Sequence, residues 1–485
     1  MEHERDEHRL RLSRRNFLGL GVSVAAGAAV GTLLRPGWLA PALAANELTE
    51  PPVLTSRKGV LKITLEEKIL PVNVGGQVRN VWVYNGSFPG PTLKVRPGDQ
   101  LLIKLKNSLA QETNLHTHGL HVSPSGNSDN PLLHVEPDET FDYQIDIPQD
   151  HPAGLNWYHP HAHGNGTQQI FGGLAGALLI TGGLDKLDGI RHIDDRLLVL
   201  QSSQFDINGN VVTFGTGASG MGDPAKHTHF INGQLNPTIT LEHDRLQRWR
   251  LLNATVTSLY QISLEGHTFF QIAADGNPFD EPVEMTSLVL VPGQRAEVLV
   301  RGGAPGSYNL QGTILQGPSN PTITLATANV LAKKGHGRNI PSTLIPLVDL
   351  RNFTVDHTRA IHFNAQGTIF TIDGKTFDPT RVDQTILLGA LEEWTIYNDQ
   401  TNPAVPHPFH IHMNPFQVTK INGVAVDAHS YQDTMNVPPN GNITFLTRFA
   451  DFTGKTVFHC HIIHHQDQGM MSLFEVVAPN PYRRR

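Results

Sequence analysis

One arrangement of turn and strand recurs three times along the chain and limits the fold more than any other feature. Tyr84-Asn85-Gly86 leads into Pro91-Thr92-Leu93-Lys94-Val95-Arg96-Pro97-Gly98-Asp99 and then Leu101-Leu102-Ile103-Lys104-Leu105-Lys106-Asn107. The same order returns at Ile231-Asn232-Gly233, Pro237-Thr238-Ile239-Thr240-Leu241 and Trp249-Arg250-Leu251-Leu252-Asn253. It returns again at Ile372-Asp373-Gly374, Thr385-Ile386-Leu387-Leu388-Gly389 and Trp394-Thr395-Ile396-Tyr397-Asn398. The turns at 85, 232 and 373 lie 147 and then 141 residues apart. Asn-Gly and Asp-Gly suit a two-residue hairpin, and each is followed by two β-rich runs. Three related β domains is the simplest organisation, and 485 residues suit three domains of roughly 150 each.

Composition agrees where it bears on this reading. With 45 Gly, 33 Pro and only 17% charged residues, many short strands joined by tight turns are favoured over long surface helices. Helical periodicity is almost absent beyond the N-terminus. The sequence therefore predicts an all-β chain of three β-sandwich domains, at 45–185, 188–332 and 340–485, with connectors near Gly182–Asp188 and Ala332–Ile340. No basic tract in the body of the chain supports nucleic-acid binding.

The first 44 residues read as an address. Ser13-Arg14-Arg15-Asn16-Phe17-Leu18 precedes an Ala/Gly-rich apolar stretch from Gly19 to Leu34, and Ala42-Leu43-Ala44 offers the small-x-small pattern of a cleavage site. A twin arginine before a mild apolar region resembles a Tat signal, so residues 1–44 are expected to engage the Tat export machinery and deliver the protein to the periplasm or beyond. The stretch is short and Gly-interrupted for a membrane anchor, and no span is expected in the mature protein. Removing 1–44 leaves 31 Lys/Arg against 40 Asp/Glu, a net −9. The single cysteine, Cys460, cannot form an intramolecular disulfide.

Histidine placement carries the chemistry. Four clusters stand out among the 26 histidines: His116-Thr117-His118-Gly119, His159-Pro160-His161, His407-Pro408-Phe409-His410-Ile411-His412, and His459-Cys460-His461 followed by His465 and Met470. Two fall in the first repeat, two in the third, and none of this form in the second. On a strand, residues i and i+2 share a face, so each His-x-His pair directs two imidazoles into one site. Parity sorts the donors into two groups: His459 and His461 point away from Cys460, and His410 and His412 point away from His407. One group is Cys460 and His407, completed by His465 and Met470; the other is the eight paired imidazoles. Neutral imidazole suits copper, and a thiolate with two imidazoles and a weak thioether is the blue-copper set. Two metal sites joined through Cys460 and its neighbours are implied, about a dozen ångströms apart.

These motifs, HTHG at 116–119, WYHPHAHG at 157–164, HPFHIHMNPF at 407–416 and HCHIIHHQDQGMM at 459–471, resemble those of the multicopper oxidases, in the same order and over essentially the whole mature chain. The resemblance implies three cupredoxin-like Greek-key β-sandwich domains and four copper ions. His407, Cys460, His465 and axial Met470 would bind a type 1 copper, and His116 and His410 a type 2 copper. His118, His159, His161, His412, His459 and His461 would bind a type 3 pair. The implied activity is laccase-like: a small donor gives single electrons to the type 1 copper, and dioxygen is reduced to water at the other three. Methionine as axial ligand implies a low-to-middling potential, suited to easily oxidised phenols or metal ions. The middle domain is expected to serve mainly as spacer and substrate-side wall, and a monomer is the family's default.

Three further expectations concern protons, substrate and surroundings. Asp129, eleven positions after His118, looks like the acid that many family members keep near the type 2 copper. Several bacterial relatives carry Glu after the last type 1 histidine, where this chain has Gln466, so Asp129 or water is the expected relay. His163 and His464 lie outside the ligand set, and Asp427-Ala428-His429 and the loop Gly215–Gly222 are candidate substrate-side segments. Two rival readings remain. A cuprous oxidase often carries a Met-rich insert, which a chain with seven Met lacks; a cell-division scaffold of this family has lost the ligands, which are all present here.

Overall fold

The computed structural model describes residues 46–479 apart from 216–222, 317–319 and 402. The expected signal at 1–44 and the Gly215–Gly222 loop beyond Gly215 lie outside the described residues. Among the described residues, α-helix is confined to Gly166–Gly172 and Ile463–Asp467, and no helix is long and apolar enough to cross a membrane. Six sheets form three cupredoxin-like sandwiches.

The third sandwich has one sheet in the order Ile369–Ile372, His357–Gln366, Leu391–Asn398, Asn442–Arg448, Phe416–Ile421, Val424–Ala425. Its other sheet runs Val382–Leu387, Met471–Val477, Gly454–Cys460, His407–Ile411, Thr434–Val437. The middle sandwich repeats this order strand for strand. Its first sheet is Thr228–Ile231, Asp194–Ser203, Leu246–Asn253, Arg295–Arg301, Phe269–Ala274, Asn277–Met285, and its second is Thr238–His243, Thr322–Lys334, Gly306–Ile314, Tyr260–Leu264, Leu288–Leu290. The first sandwich is cut down to two four-stranded sheets: Gln77–Tyr84, Val60–Val74, Gln100–Asn107, Thr140–Asp146 against Val53–Thr55, Gly90–Val95, Gly176–Ile180, Gly154–Tyr158.

The repeated sequence has a repeated physical cause. Asn85-Gly86, Asn232-Gly233 and Asp373-Gly374 hold φ of 52° and 76°, 52° and 75°, and 51° and 74°, the paired positive values of a type I′ hairpin turn. The asparagine ending each following run, Asn107, Asn253 or Asn398, is buried. Its amide donates to carbonyls in the following loop or at a neighbouring strand end: Gln111 and Val135, Ser258 and Leu290, and Val405 and Pro438 respectively. A buried carbonyl without a donor is costly, so this side chain fixes the loop that follows. Strands alternate as half-buried strands must; Gln100–Asn107 buries Leu101, Ile103, Leu105 and Asn107. Each sandwich closes on its own apolar core, around Trp394, Phe409, Phe445 and Phe458 in the third and Trp249, Tyr260 and Ile262 in the middle one.

Candidate metal centre

Strand register decides where the histidines go. Cys460 lies opposite Phe409, and His459 opposite His410. Cys460 therefore shares a face with Phe409 and with His407 two residues earlier, whereas His410 and His459 face the other way. In the first sandwich the same relation is made by one bridge, with backbone bonds of 2.9 and 3.1 Å between His116 and His159.

On the inner face of the third sandwich, Cys460 Sγ lies 3.5 Å from His407 Nδ1 and 3.7 Å from His465 Nδ1, and the two nitrogens are 3.2 Å apart. His407 and Cys460 are fully buried. His465 comes from the short helix Ile463–Asp467, keeps partial exposure and stacks on Phe370 at 4.2 Å. The His407 ring is oriented by Gln400, whose Oε1 is 2.8 Å from Nε2. Met470 is fully buried beside the group, its backbone bonded to both Cys460 and His465. Asp467 pins the helix by accepting bonds from Gly164 N–H and from the backbone N–H and hydroxyl of Thr167.

On the seam between first and third sandwiches the eight paired imidazoles meet, all buried. His116 stacks on His412 and His118 on His410, each at 3.8 Å and 12°. Three donor groupings result, with ligand atoms within 4.8 Å of one another in each: His116, His118 and His410; His118, His159 and His461; and His161, His412 and His459. In the last, the three Nε2 atoms are each 3.1 Å from the other two. Burial first, and neighbouring imidazoles second, push His116, His118, His161, His412, His459 and His461 well below the ordinary imidazole value. Burial holds His407 at about 3.

Several of the eight rings present buried nitrogens with no hydrogen-bond partner: His116 Nε2, His118 Nδ1, His159 Nε2, His410 Nε2 and both nitrogens of His461. His459 donates its Nδ1–H to the Cys460 carbonyl at 3.0 Å and so turns its bare Nε2 towards the Nε2 atoms of His161 and His412, each 3.1 Å away, a convergence that suits a cation. Burial likewise pushes the Cys460 thiol far up, so it ionises only against a compensating cation. Both donor sets fit a soft-to-borderline metal, and one thiolate with imidazoles fits copper.

The outer partners fix which nitrogen faces inward. Asp129 is buried, with its oxygens 3.0 and 3.1 Å from His116 Nδ1, and it accepts from Thr117 N–H at 3.0 Å. His118 Nε2 lies 3.0 Å from Asp433 Oδ1, and His410 Nδ1 lies 2.8 Å from the Asp433 carbonyl. Asp433 in turn takes two bonds, 2.8 and 2.7 Å, from Arg295 of the middle sandwich. That sandwich is thus more than a spacer, contrary to the expectation: Gly293 also lies against His461, where a Cβ would approach the ring to 2.8 Å. Sequence reasoning missed Arg295, Asp433 and Asp467. One signal was present, the glycine of HTHG, because a Cβ on Gly119 would lie 2.1 Å from Arg295 Nη2.

The remaining candidates sit further out. His163 packs on Phe377 at 4.9 Å and His464 on Phe214 at 5.4 Å, both partly exposed. Gln466 is buried one residue beyond His465. His429 is paired with Asp280 at 3.0 Å.

Comparison with known proteins agrees with this geometry. Profiles described as "Multicopper oxidase" match residues 68–184, 196–336 and 348–480. A multicopper oxidase of Staphylococcus aureus is 29% identical over 446 residues, covering 89% of this chain and 92% of its own. The cell division protein FtsP of Dickeya dadantii is 27% identical over 498 residues, covering 97% and 99%. Among solved structures, a Campylobacter jejuni multicopper oxidase described as a metallo-oxidase superposes with a TM-score of 0.78 at 28% identity, covering 90% of this chain and 95% of its own. A Pediococcus acidilactici laccase gives 0.77 at 27%, covering 89% and 93%.

Proposed function

The chain belongs to the multicopper oxidase family, and from that premise we propose a laccase-like enzyme that couples one-electron oxidation of small phenolic donors to reduction of dioxygen to water. The reading is carried by one observation, two separate donor sets joined through Cys460: a thiol with two imidazole nitrogens within 3.7 Å, and eight imidazoles of which several present unpartnered nitrogens. The proposed holoenzyme has four copper ions. His407, Cys460, His465 and Met470 hold type 1; His116 and His410 hold type 2; His118, His159 and His461 with His161, His412 and His459 hold the type 3 pair. When bound, copper supplies the one-electron acceptance at the cysteine site and the multielectron reduction of dioxygen at the imidazole site.

The residues around them supply paths and exclusion of water. His465 is the ligand nearest solvent, so a donor docks against its ring edge. His459 and His461 are covalent neighbours of Cys460 and connect the two sites through backbone. Asp129, on His116 Nδ1 and buried, is placed to relay protons towards the imidazole seam. The protein acts after export through the signal at 1–44, as a monomer.

The likeness to the C. jejuni metallo-oxidase favours a second reading, oxidation of low-valent metal ions at the same His465 edge. Retention of every donor separates both from a ligand-free scaffold. The first test is the visible spectrum of copper-loaded protein beside Cys460→Ser. A band at roughly 600 nm that the substitution removes establishes thiolate ligation; a colourless protein with stoichiometric oxidised copper overturns the reading. Turnover with phenols against cuprous or ferrous ions then decides between donors.

A further inference from the structure

Resting on that reading, we propose that Arg295 of the middle sandwich is a positioning residue for the imidazole site, acting through Asp433 and Thr434 to fix which nitrogen of His118 and His410 is offered to metal. Arg295 is fully buried and touches all three sandwiches. Its Nε donates to the carbonyl of Leu155 and its Nη2 to Asn156 Oδ1, both at 3.1 Å, in the first sandwich. Its fork closes on the Asp433 carboxylate of the third.

The middle sandwich grips the 433–434 segment at three more points. Asp275 Oδ2 accepts from the backbone N–H groups of Asp433 and Thr434 at 3.2 and 3.1 Å, and Gln294 Nε2 donates to the Thr434 carbonyl at 3.0 Å. A paired fork on a carboxylate fixes its plane as well as its position. Both bonds of that fork end on the Asp433 carboxylate, which faces His118 as an acceptor.

An acceptor 3.0 Å from His118 Nε2 requires the proton on that nitrogen and leaves Nδ1 bare; the Asp433 carbonyl 2.8 Å from His410 Nδ1 puts the proton there and leaves Nε2 bare. Those two bare atoms, His118 Nδ1 and His410 Nε2, are buried and unpartnered. One arginine from a domain without ligands thus selects opposite ring nitrogens on two stacked histidines, one from each flanking domain. A lysine has no planar fork with which to hold the carboxylate.

The test is Arg295→Lys in the full chain, loaded with copper and titrated with a chelator of known affinity. Loss of an outer-shell partner costs about 10- to 100-fold in metal affinity. The expected result is that weakening at the imidazole site only: the thiolate band keeps its parental intensity, and the copper-free variant unfolds within a few degrees of its copper-free parent. Copper retained at parental affinity overturns the inference, as does parallel weakening of both sites that tracks a fall in copper-free stability. If Arg295→Lys does not fold, Gln294→Ala, which removes the bond to the Thr434 carbonyl and a local bond from Val291 N–H within the middle sandwich, decides by the same selective loss or its absence. A parent that shows no thiolate band overturns the oxidase reading and this inference together; a fully loaded parent with an unaffected variant overturns this inference alone.

Discussion

The middle and third sandwiches share a strand order and even a register, yet only one of them carries the cysteine site. In the third, Cys460 is the seventh residue of Gly454–Cys460, opposite Phe409, with His407 two residues before. In the middle one, the seventh residue of Gly306–Ile314 is Gly312, opposite Ile262, with Tyr260 two residues before. Where one sandwich places a thiol and an imidazole, the other places a hydrogen atom and a phenol ring, and the Tyr260 hydroxyl is taken up by His229 at 2.6 Å. The fold supplies a location and the residue supplies the chemistry. The middle sandwich contributes instead through its seam-facing residues, Asp275, Gly293, Gln294 and Arg295.

The largest effect separates the two equivalent positions. Cys460→Ser is expected to abolish the band at roughly 600 nm and oxidase turnover together, measured by absorption and oxygen uptake. Asp129→Asn comes next: with copper content intact, oxygen-limited turnover falls by at least about 10²-fold, the usual worth of a positioned proton-transfer group. Unchanged oxygen uptake assigns the relay to water or another acid. At the middle position, Gly312→Ala forces a Cβ to 2.7 Å from Leu325 Cδ1 and 3.2 Å from Tyr260 Cδ1. Overpacking of this kind costs about 1–3 kcal/mol, read as a lower unfolding midpoint, while the visible spectrum stays as it was.

The smallest effect extends the comparison to the first sandwich. The repeated asparagines Asn107, Asn253 and Asn398 face Glu67, Leu200 and Phe363 across the strand pair. Two sandwiches fill that place with hydrocarbon and the first with a fully buried carboxyl. Burial pushes Glu67 up to about 8, from 4.5 in the unfolded chain, against the weaker pull of Thr113 and Tyr84. Between those values the folded protein holds a proton that the unfolded chain has lost, so this residue's contribution to stability falls as pH rises through the window. Glu67→Gln removes the fall: its thermal midpoint gains more over the parent near pH 8 than near pH 5, by a few degrees. Equal gains at both pH values sink the assignment.

What was legible in the sequence follows from what is local. Two-residue turns announce themselves because few residues take positive φ twice, and the three Asn/Asp-Gly pairs do so at 85, 232 and 373. Alternation along a strand is also local, which is why the separation of Cys460 from His459 and His461 could be read without coordinates. The convergence of histidines from the first and third repeats came from the family resemblance. Arg295 was not legible: it sits in an ordinary strand, Arg295–Arg301, and its partners in the flanking sandwiches are 138 to 140 residues away. Asp433 was hidden likewise, because what matters is the face it turns to a domain brought beside it only by folding.

The 3.1 Å contact between His161 and His459 joins residues 298 positions apart. At a synthesis rate of roughly 5–20 residues per second, about 15–60 s pass between the appearance of the first and the second. For all of that interval the first sandwich has half a ring stack and nothing to close it. The imidazole seam is therefore among the last features of the molecule that synthesis makes possible, and its complete donor set exists only once the third sandwich has been made.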